Sequence, residues 1–247
     1  MPLVHLAKKN EKGVSNGELI LKSGYFDINT DMDLSEITGE TENLVFFFYG
    51  KPAYKVPRGY DPSDLPIGFI IETNENPNRI FPFDTGAYVN RRFKQILGNN
   101  YINEYNLLNY QLSTVIQNLG KYINAIWQKN KFYYNDKHRI HKIIKSSGDK
   151  YITALIKLIK APASSFCDER KHTIEIQFNV KFELNNNIKA VVVAQAFLDR
   201  KPELIDLIKQ YNAKLICYSS YGGLDADLFT ESLQKEIYRY YMGKGYF

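Results

Sequence analysis

Four polar residues of the sequence lie in apolar or aromatic surroundings, and their side chains are of types that carry chemistry. His5 lies in Leu3-Val-His-Leu6, and Lys51 in Phe46-Phe-Phe-Tyr-Gly-Lys-Pro-Ala-Tyr54. Asp84 lies in Ile80-Phe-Pro-Phe-Asp-Thr-Gly-Ala87, and Glu175 in Thr173-Ile-Glu-Ile-Gln-Phe178. A strand alternates its side chains, so Glu175 and Gln177 share one face and Ile174, Ile176 and Phe178 the other. A half-buried carboxylate is costly unless it has a partner or a task. Taken by itself, Glu175 reads as the wet side of an ordinary two-faced edge strand. A second grouping, Asp168, Glu175 and Gln177, is a D-x6-E-x-Q variant of the metal-nuclease pattern, in which two acids hold Mg²⁺ to activate water. His138 and His141 are three apart, but with no acid or cysteine beside them they read as exposed basic-face residues. No glycine-rich phosphate loop, G-x-S-x-G, H-E-x-x-H or C-x-x-C occurs.

The elements that must position these residues are legible from their period. Met1 to Leu6 reads as a strand, and Asn16 to Leu21 as a short helix stopping before Gly24. Leu44 to Tyr49 and Ile67 to Ile71 are short, dense β-prone runs bounded by glycine and proline, as suits buried strands. From Leu108 to Ile126 apolar residues recur at three and four, predicting an amphipathic helix. Ile140 to Ile144 and Tyr151 to Ile159 predict one or two more, broken at Ser146-Ser-Gly148. Thr173 to Glu183 and Ile188 to Val193 read as strands flanking a hairpin turn at Asn185-Asn-Asn187. Pro202 to Tyr211 and Leu228 to Tyr241 read as helices, and Lys214 to Tyr218 as a strand. Strands, then helices, then strands predict an α+β domain with a helical insertion.

Composition narrows the class. The 247 residues, 44% of them hydrophobic, suffice for a sizeable core, and 19 Tyr and 15 Phe exclude a disordered chain. No apolar run approaches the roughly 20 residues of a membrane span, and MPLVHLAKKN lacks the apolar stretch of a secretory signal. Cys167 and Cys217 cannot form a disulfide framework and are not spaced as metal ligands, so a cytoplasmic protein is expected. Of the net charge of +5, the stretch Tyr88 to Lys160 contributes +10 (thirteen Lys/Arg against three acids), and the remainder −5. Such asymmetry fits either a polyanion-facing segment on a near-neutral body or a set of solvated helix faces.

In order along the chain, the four islands resemble the DarT-type ADP-ribosyltransferases, relatives of the poly-ADP-ribose polymerases. That family opens with a strand carrying a histidine, then a short helix and a glycine, as in Leu3-Val-His-Leu6 and Gly24. Its aromatic strand running into a basic residue and a proline turn is similar to Phe47-Phe-Tyr-Gly-Lys-Pro-Ala-Tyr54. Its F-(S/T)-D-G-N-A element is echoed by Phe83-Asp-Thr-Gly-Ala87, and its glutamate strand A-E-F-L-V by Ile174-Glu-Ile-Gln177. Two positions depart from the pattern: Val4 stands for a threonine and Lys51 for an arginine, and a lysine cannot reproduce a bidentate contact.

The resemblance implies a single α+β domain over residues 1–247, an ADP-ribosyltransferase-like split β-sheet core with a basic helical insertion at about 88–165. It implies NAD as co-substrate, with His5, Leu6, Gly24, Tyr49, Lys51 and Tyr54 at the dinucleotide. Glu175 and Lys51 would be catalytic. His5 would bind a ribose hydroxyl, Lys51 would neutralise the pyrophosphate, and Tyr49 and Tyr54 would line the nicotinamide slot. Asp84 would hold its turn together rather than touch the ligand. The role implied is a bacterial toxin or anti-phage effector, with an antitoxin as a partner. The acceptor expected is nucleic acid, single-stranded DNA before RNA, with protein as the other choice. From Lys121 to Lys160, ten Lys/Arg face two acids and are interleaved with Tyr122, Trp127, Phe132, Tyr133, Tyr134 and Tyr151. Lysines attract phosphate and aromatic rings stack on unpaired bases. The alternatives are the metal-dependent nuclease built on Asp168, Glu175 and Gln177, and a non-catalytic nucleic-acid-binding module.

Overall fold

Short β-branched and aromatic runs dominate this fold because they can be buried on both faces of a central sheet. The computed structural model describes residues 1–7, 15–26, 44–53, 65–140, 148–162, 169–179, 181–219 and 226–247. Its strands are β1 (Leu3–Ala7), β2 (Tyr25–Phe26), β3 (Val45–Tyr49), β4 (Ile67–Ile71) and β5 (Arg79–Phe81). They continue with β6 (Glu175–Phe178), β7 (Phe182–Glu183), β8 (Ile188–Ala194) and β9 (Lys214–Tyr218). The main sheet runs β5-β6-β3-β1-β4-β8-β9, and β2 pairs with β7 in a separate ribbon. Its pairs are antiparallel except β8 with β9. This is an α+β fold, as expected. The sheet is split: β1 and β3 pair only at Leu3–Tyr49 and Val4–Phe48, then part, while β1 follows β4 to Ala7 and β3 follows β6 to Val45.

The hairpin expected around Asn185-Asn-Asn187 does not form. The chain does reverse there, with Asn186 at φ 66°, but β7 leaves to pair β2 while β8 pairs β4 and β9. The reason is burial. Five successive residues of β8, Ala190 to Ala194, are buried, so it must lie inside the sheet, whereas Phe182 of β7 packs on Phe26. β6 is likewise interior, flanked by β3 and β5, which corrects the edge-strand expectation for Glu175.

The helices are α1 (Asn16–Ser23), α2 (Thr85–Val89), α3 (Lys94–Leu97), α4 (Tyr101–Glu104), α5 (Ile116–Trp127) and α6 (Asn130–Tyr134). After them come α7 (Lys150–Lys160), α8 (Gln195–Arg200), α9 (Glu203–Gln210) and α10 (Ala226–Lys244). The helix expected from Leu108 is shorter. Leu107–Tyr110 is a 3₁₀ turn, and the hydroxyl of Ser113 accepts from the N–H of Val115, so α5 starts only at Ile116. His138 is exposed and not helical, and His141 lies outside the described residues. A main core fills both sides of the sheet. A second core, with Phe81, Phe83, Tyr88, Tyr101, Tyr110 and Leu158, joins β5, α2–α4 and α7.

Candidate active site

Residues paired across a sheet point to the same side. Val4, Phe48, Glu175 and Phe81 form one such row, and Ile70 shares their face. His5, Phe69, Phe47, Ile176 and Ile80 face the other way. Glu175 and His5 therefore stand two strands apart on opposite faces, and the structure does not bring their side chains together.

Glu175 is 2% exposed, and both its oxygens are engaged. Oε1 accepts from the Thr85 hydroxyl at 2.6 Å and from Gln177 Nε2 at 2.6 Å, and Oε2 from the Thr85 N–H at 3.1 Å. Asp84 caps the same helix, its Oδ1 accepting from the Ala87 N–H at 2.8 Å. Two carboxyls thus share the first turn of α2. Burial, and then the charge of Asp84, push Glu175 up to about 8, against the hydrogen bonds from Thr85 and Gln177 that favour its ion. Both causes favour its protonated form. Asp84 serves its turn, as expected.

His5 sits where the sheet splits. Its Nδ1 is 2.9 Å from the carbonyl of Phe46, which can only accept, so Nδ1 carries the proton and Nε2 is left as an acceptor. Burial lowers its pKa despite that bond, so the ring is neutral. Phe26, Phe47 and Phe69 surround it, with centroids at 4.9, 5.8 and 6.4 Å. Gly24 delivers Phe26 to this place: at φ 80° it ends α1, its N–H bonded to the carbonyl of Ile20, and the chain turns into β2. Leu6 is buried opposite Gly68, on the face of Glu175.

Lys51 is 4% exposed and pairs with Asp136 Oδ1, which also takes His172 Nε2 at 2.6 Å. Beside them Lys171 bonds Glu169 at 2.5 Å. Burial opposes the ionisation of Asp136, but the charge of Lys51 and the bond from His172 outweigh it and hold the carboxyl far below its ordinary range. Burial lowers the pKa of His172. The neutral ring gives its proton to Asp136 from Nε2, and its buried Nδ1 has no partner among the described residues. Asp136 and His172 went unnoticed in the sequence. They sit in ordinary polar stretches, and only the fold makes them neighbours.

Tyr49 packs on Tyr133, and its hydroxyl accepts from the Met1 amino group at 2.9 Å. Tyr54 and Asp168 lie outside the described residues, so the Asp168, Glu175 and Gln177 set has no described geometry. No cluster of three or more His, Cys, Asp or Glu able to hold a metal occurs among the described residues. No described helix is long and apolar enough to cross a membrane. Trp127 and Tyr133 are fully buried and Tyr134 is buried beside α10, which corrects their expected use as surface stacking platforms. Phe132 and Tyr151 are only partly buried.

No family model matches the sequence, and no curated protein matches it. Among solved structures the chain is similar to Thermus sp. 2.9 DarT in complex with NAD+, at 9% sequence identity and a TM-score of 0.40. The match covers 87% of this chain and 94% of that one.

Proposed function

We propose that the protein is an NAD-dependent ADP-ribosyltransferase with Glu175 as its catalytic carboxyl. The observation that carries this reading is the adjacency of β1, β3 and β6 around a split in the sheet. The strand of His5, the aromatic strand running into Lys51 and the strand of Glu175 are neighbours, although most of the chain separates the first from the last.

Cleavage of the nicotinamide–ribose bond develops positive charge on the ribose. A carboxylate fixed beside that sugar stabilises it. Glu175 suits this role because its proton is held only by burial and by Asp84. A cationic nicotinamide ring and the charge that follows favour its ionised form, to which Gln177, on the same strand, donates. The free Nε2 of His5 accepts from a ribose hydroxyl, and Lys51, exchanging Asp136 for the pyrophosphate, supplies the counter-charge. Two things must then happen. The first turn of α2 withdraws to uncover Glu175, and the dinucleotide reaches both faces through the split.

The acceptor we propose is single-stranded nucleic acid, DNA before RNA, and the role that of a toxin or anti-phage effector restrained by an antitoxin in the cytoplasm. The basic stretch supports the acceptor, most directly at Phe132, where Lys129 and Arg139 each lie 4.8 Å from the ring centroid. The test is nicotinamide release and transfer of labelled ADP-ribose to single-stranded DNA, RNA or protein, by wild type and Glu175→Gln of equal circular dichroism. Release by wild type alone supports the enzyme; equal turnover in both removes Glu175. Label found only on protein overturns the nucleic-acid acceptor. Growth arrest of a bacterial host by wild type but not by the variant supports the toxin role, and normal growth of both overturns it.

A further inference from the structure

At the far end of the sheet from β6, where β8 and β9 begin, the surface holds a cavity of roughly 400 Å³. Small-ligand sites span roughly 300–1,000 Å³. Three lysines meet there: Lys189 on β8, Lys214 at the start of β9 and Lys244 in the last turn of α10. No Asp or Glu lines the cavity. Lys244 has a structural reason to be there, since it offsets the negative end of α10. Lys189 and Lys214 lie on the two neighbouring strands.

The remaining groups suit an aromatic phosphate ester. Lys214 and Lys244 place Nζ 5.9 and 6.0 Å from the ring centroid of Tyr240. Neither makes an ion pair among the described residues, and Lys189 gives one of its three protons to the carbonyl of Asn186 at 3.1 Å. Tyr211 adds a second ring, held by its hydroxyl to the carbonyl of Leu21 at 2.8 Å. Asn186 and Asn212 also line the cavity, and an asparagine amide can both donate to and accept from a base. Glu72, whose charge reaches Tyr240, lies outside the lining and is bonded by the Tyr246 hydroxyl.

We propose that this cavity is a nucleotide-phosphate site: the lysines take the phosphate, and the tyrosines and asparagines take the base and sugar. It is separate from the Glu175 region and does not depend on the transferase reading. The experiment is equilibrium binding of AMP, inorganic phosphate and adenosine to the full chain, for wild type, Lys189→Gln/Lys214→Gln and Glu175→Gln. Expected are AMP binding at least tenfold tighter than adenosine, weakened by added salt, and a loss of at least tenfold in the double lysine variant with unchanged circular dichroism. Glu175→Gln should bind AMP as wild type does. AMP binding tighter than phosphate supports a nucleotide source. Equal binding that the lysine variant weakens supports phosphate alone as the group recognised. AMP affinity equal in wild type and lysine variant, or no tighter than that of adenosine, overturns the site.

Discussion

Glu175 and Asp136 are both buried acids that answer burial in opposite ways. Glu175, beside another carboxyl, keeps its proton up to about 8. Unfolded, it would ionise near 4.5, so between those values the unfolded chain binds fewer protons and stability falls as pH rises. The contribution of this one group has a slope of up to about 1.4 kcal/mol per pH unit. Glu175→Gln should abolish that decline, as denaturation midpoints at pH 5 and pH 8 would show. Asp136 has the reverse sign. Its pKa is depressed, so its contribution is present above its ordinary 3.8 and is lost as pH falls below it. Asp136→Asn keeps an acceptor for His172 but strips Lys51 of its counter-charge. Because the Asp136 side chain is 36% exposed, we expect a cost of about 1–3 kcal/mol rather than the full penalty of a buried pair. The double variant Lys51→Met/Asp136→Asn should recover most of it, and a double-mutant cycle measures the coupling.

At the scale of elements, α6 is five residues long yet holds the sheet together. The hydroxyl of Tyr133 donates to the carbonyl of Tyr49 on β3 and accepts from the N–H of Ile174, just before β6, each at 3.0 Å. It bridges the ends of the two strands that carry Lys51 and Glu175 to their places. Tyr133→Phe leaves both backbone groups buried without that partner, at about 1–3 kcal/mol. The check is the denaturation midpoint together with faster amide exchange at Ile174. On the other side Tyr134 donates to the carbonyl of Gln234 at 2.7 Å, tying the same short helix to α10.

For the whole molecule, the nucleic-acid acceptor we propose draws on the charge of +10 from Tyr88 to Lys160 against −5 elsewhere. With Trp127 and Tyr133 consumed by the core, stacking falls to Phe132 and Tyr151, which the chain leaves partly exposed beside cations. Binding of single-stranded DNA should weaken steeply with salt. Lys129→Ala/Arg139→Ala should lower the slope of log K against log salt by about 1.4, at roughly 0.7 for each phosphate no longer neutralised. Phe132→Ala should cost about 1–3 kcal/mol of affinity. Salt titrations followed by fluorescence anisotropy measure both, and unchanged slopes would remove this face from the acceptor site.

What the sequence determined by itself is what depends on neighbours along the chain. The β-prone runs of β1, β3, β4 and β8 are local, as are the apolar period of α7 and α9 and the Gly24 stop. The alternation that set Glu175 and Gln177 on one face is local too. β5 and α2 escaped notice because three and five residues are too few to show a period. Partnership was left to the tertiary structure. Nothing near Asn185 says that β7 will pair β2, and nothing near Asp136 says that it will face Lys51 and His172. A side chain's face follows from its neighbours along the chain, but its enclosure depends on which distant strand arrives beside it. That is why Glu175, readable as the wet side of an edge strand, is an enclosed acid whose pKa is pushed up by burial and by Asp84.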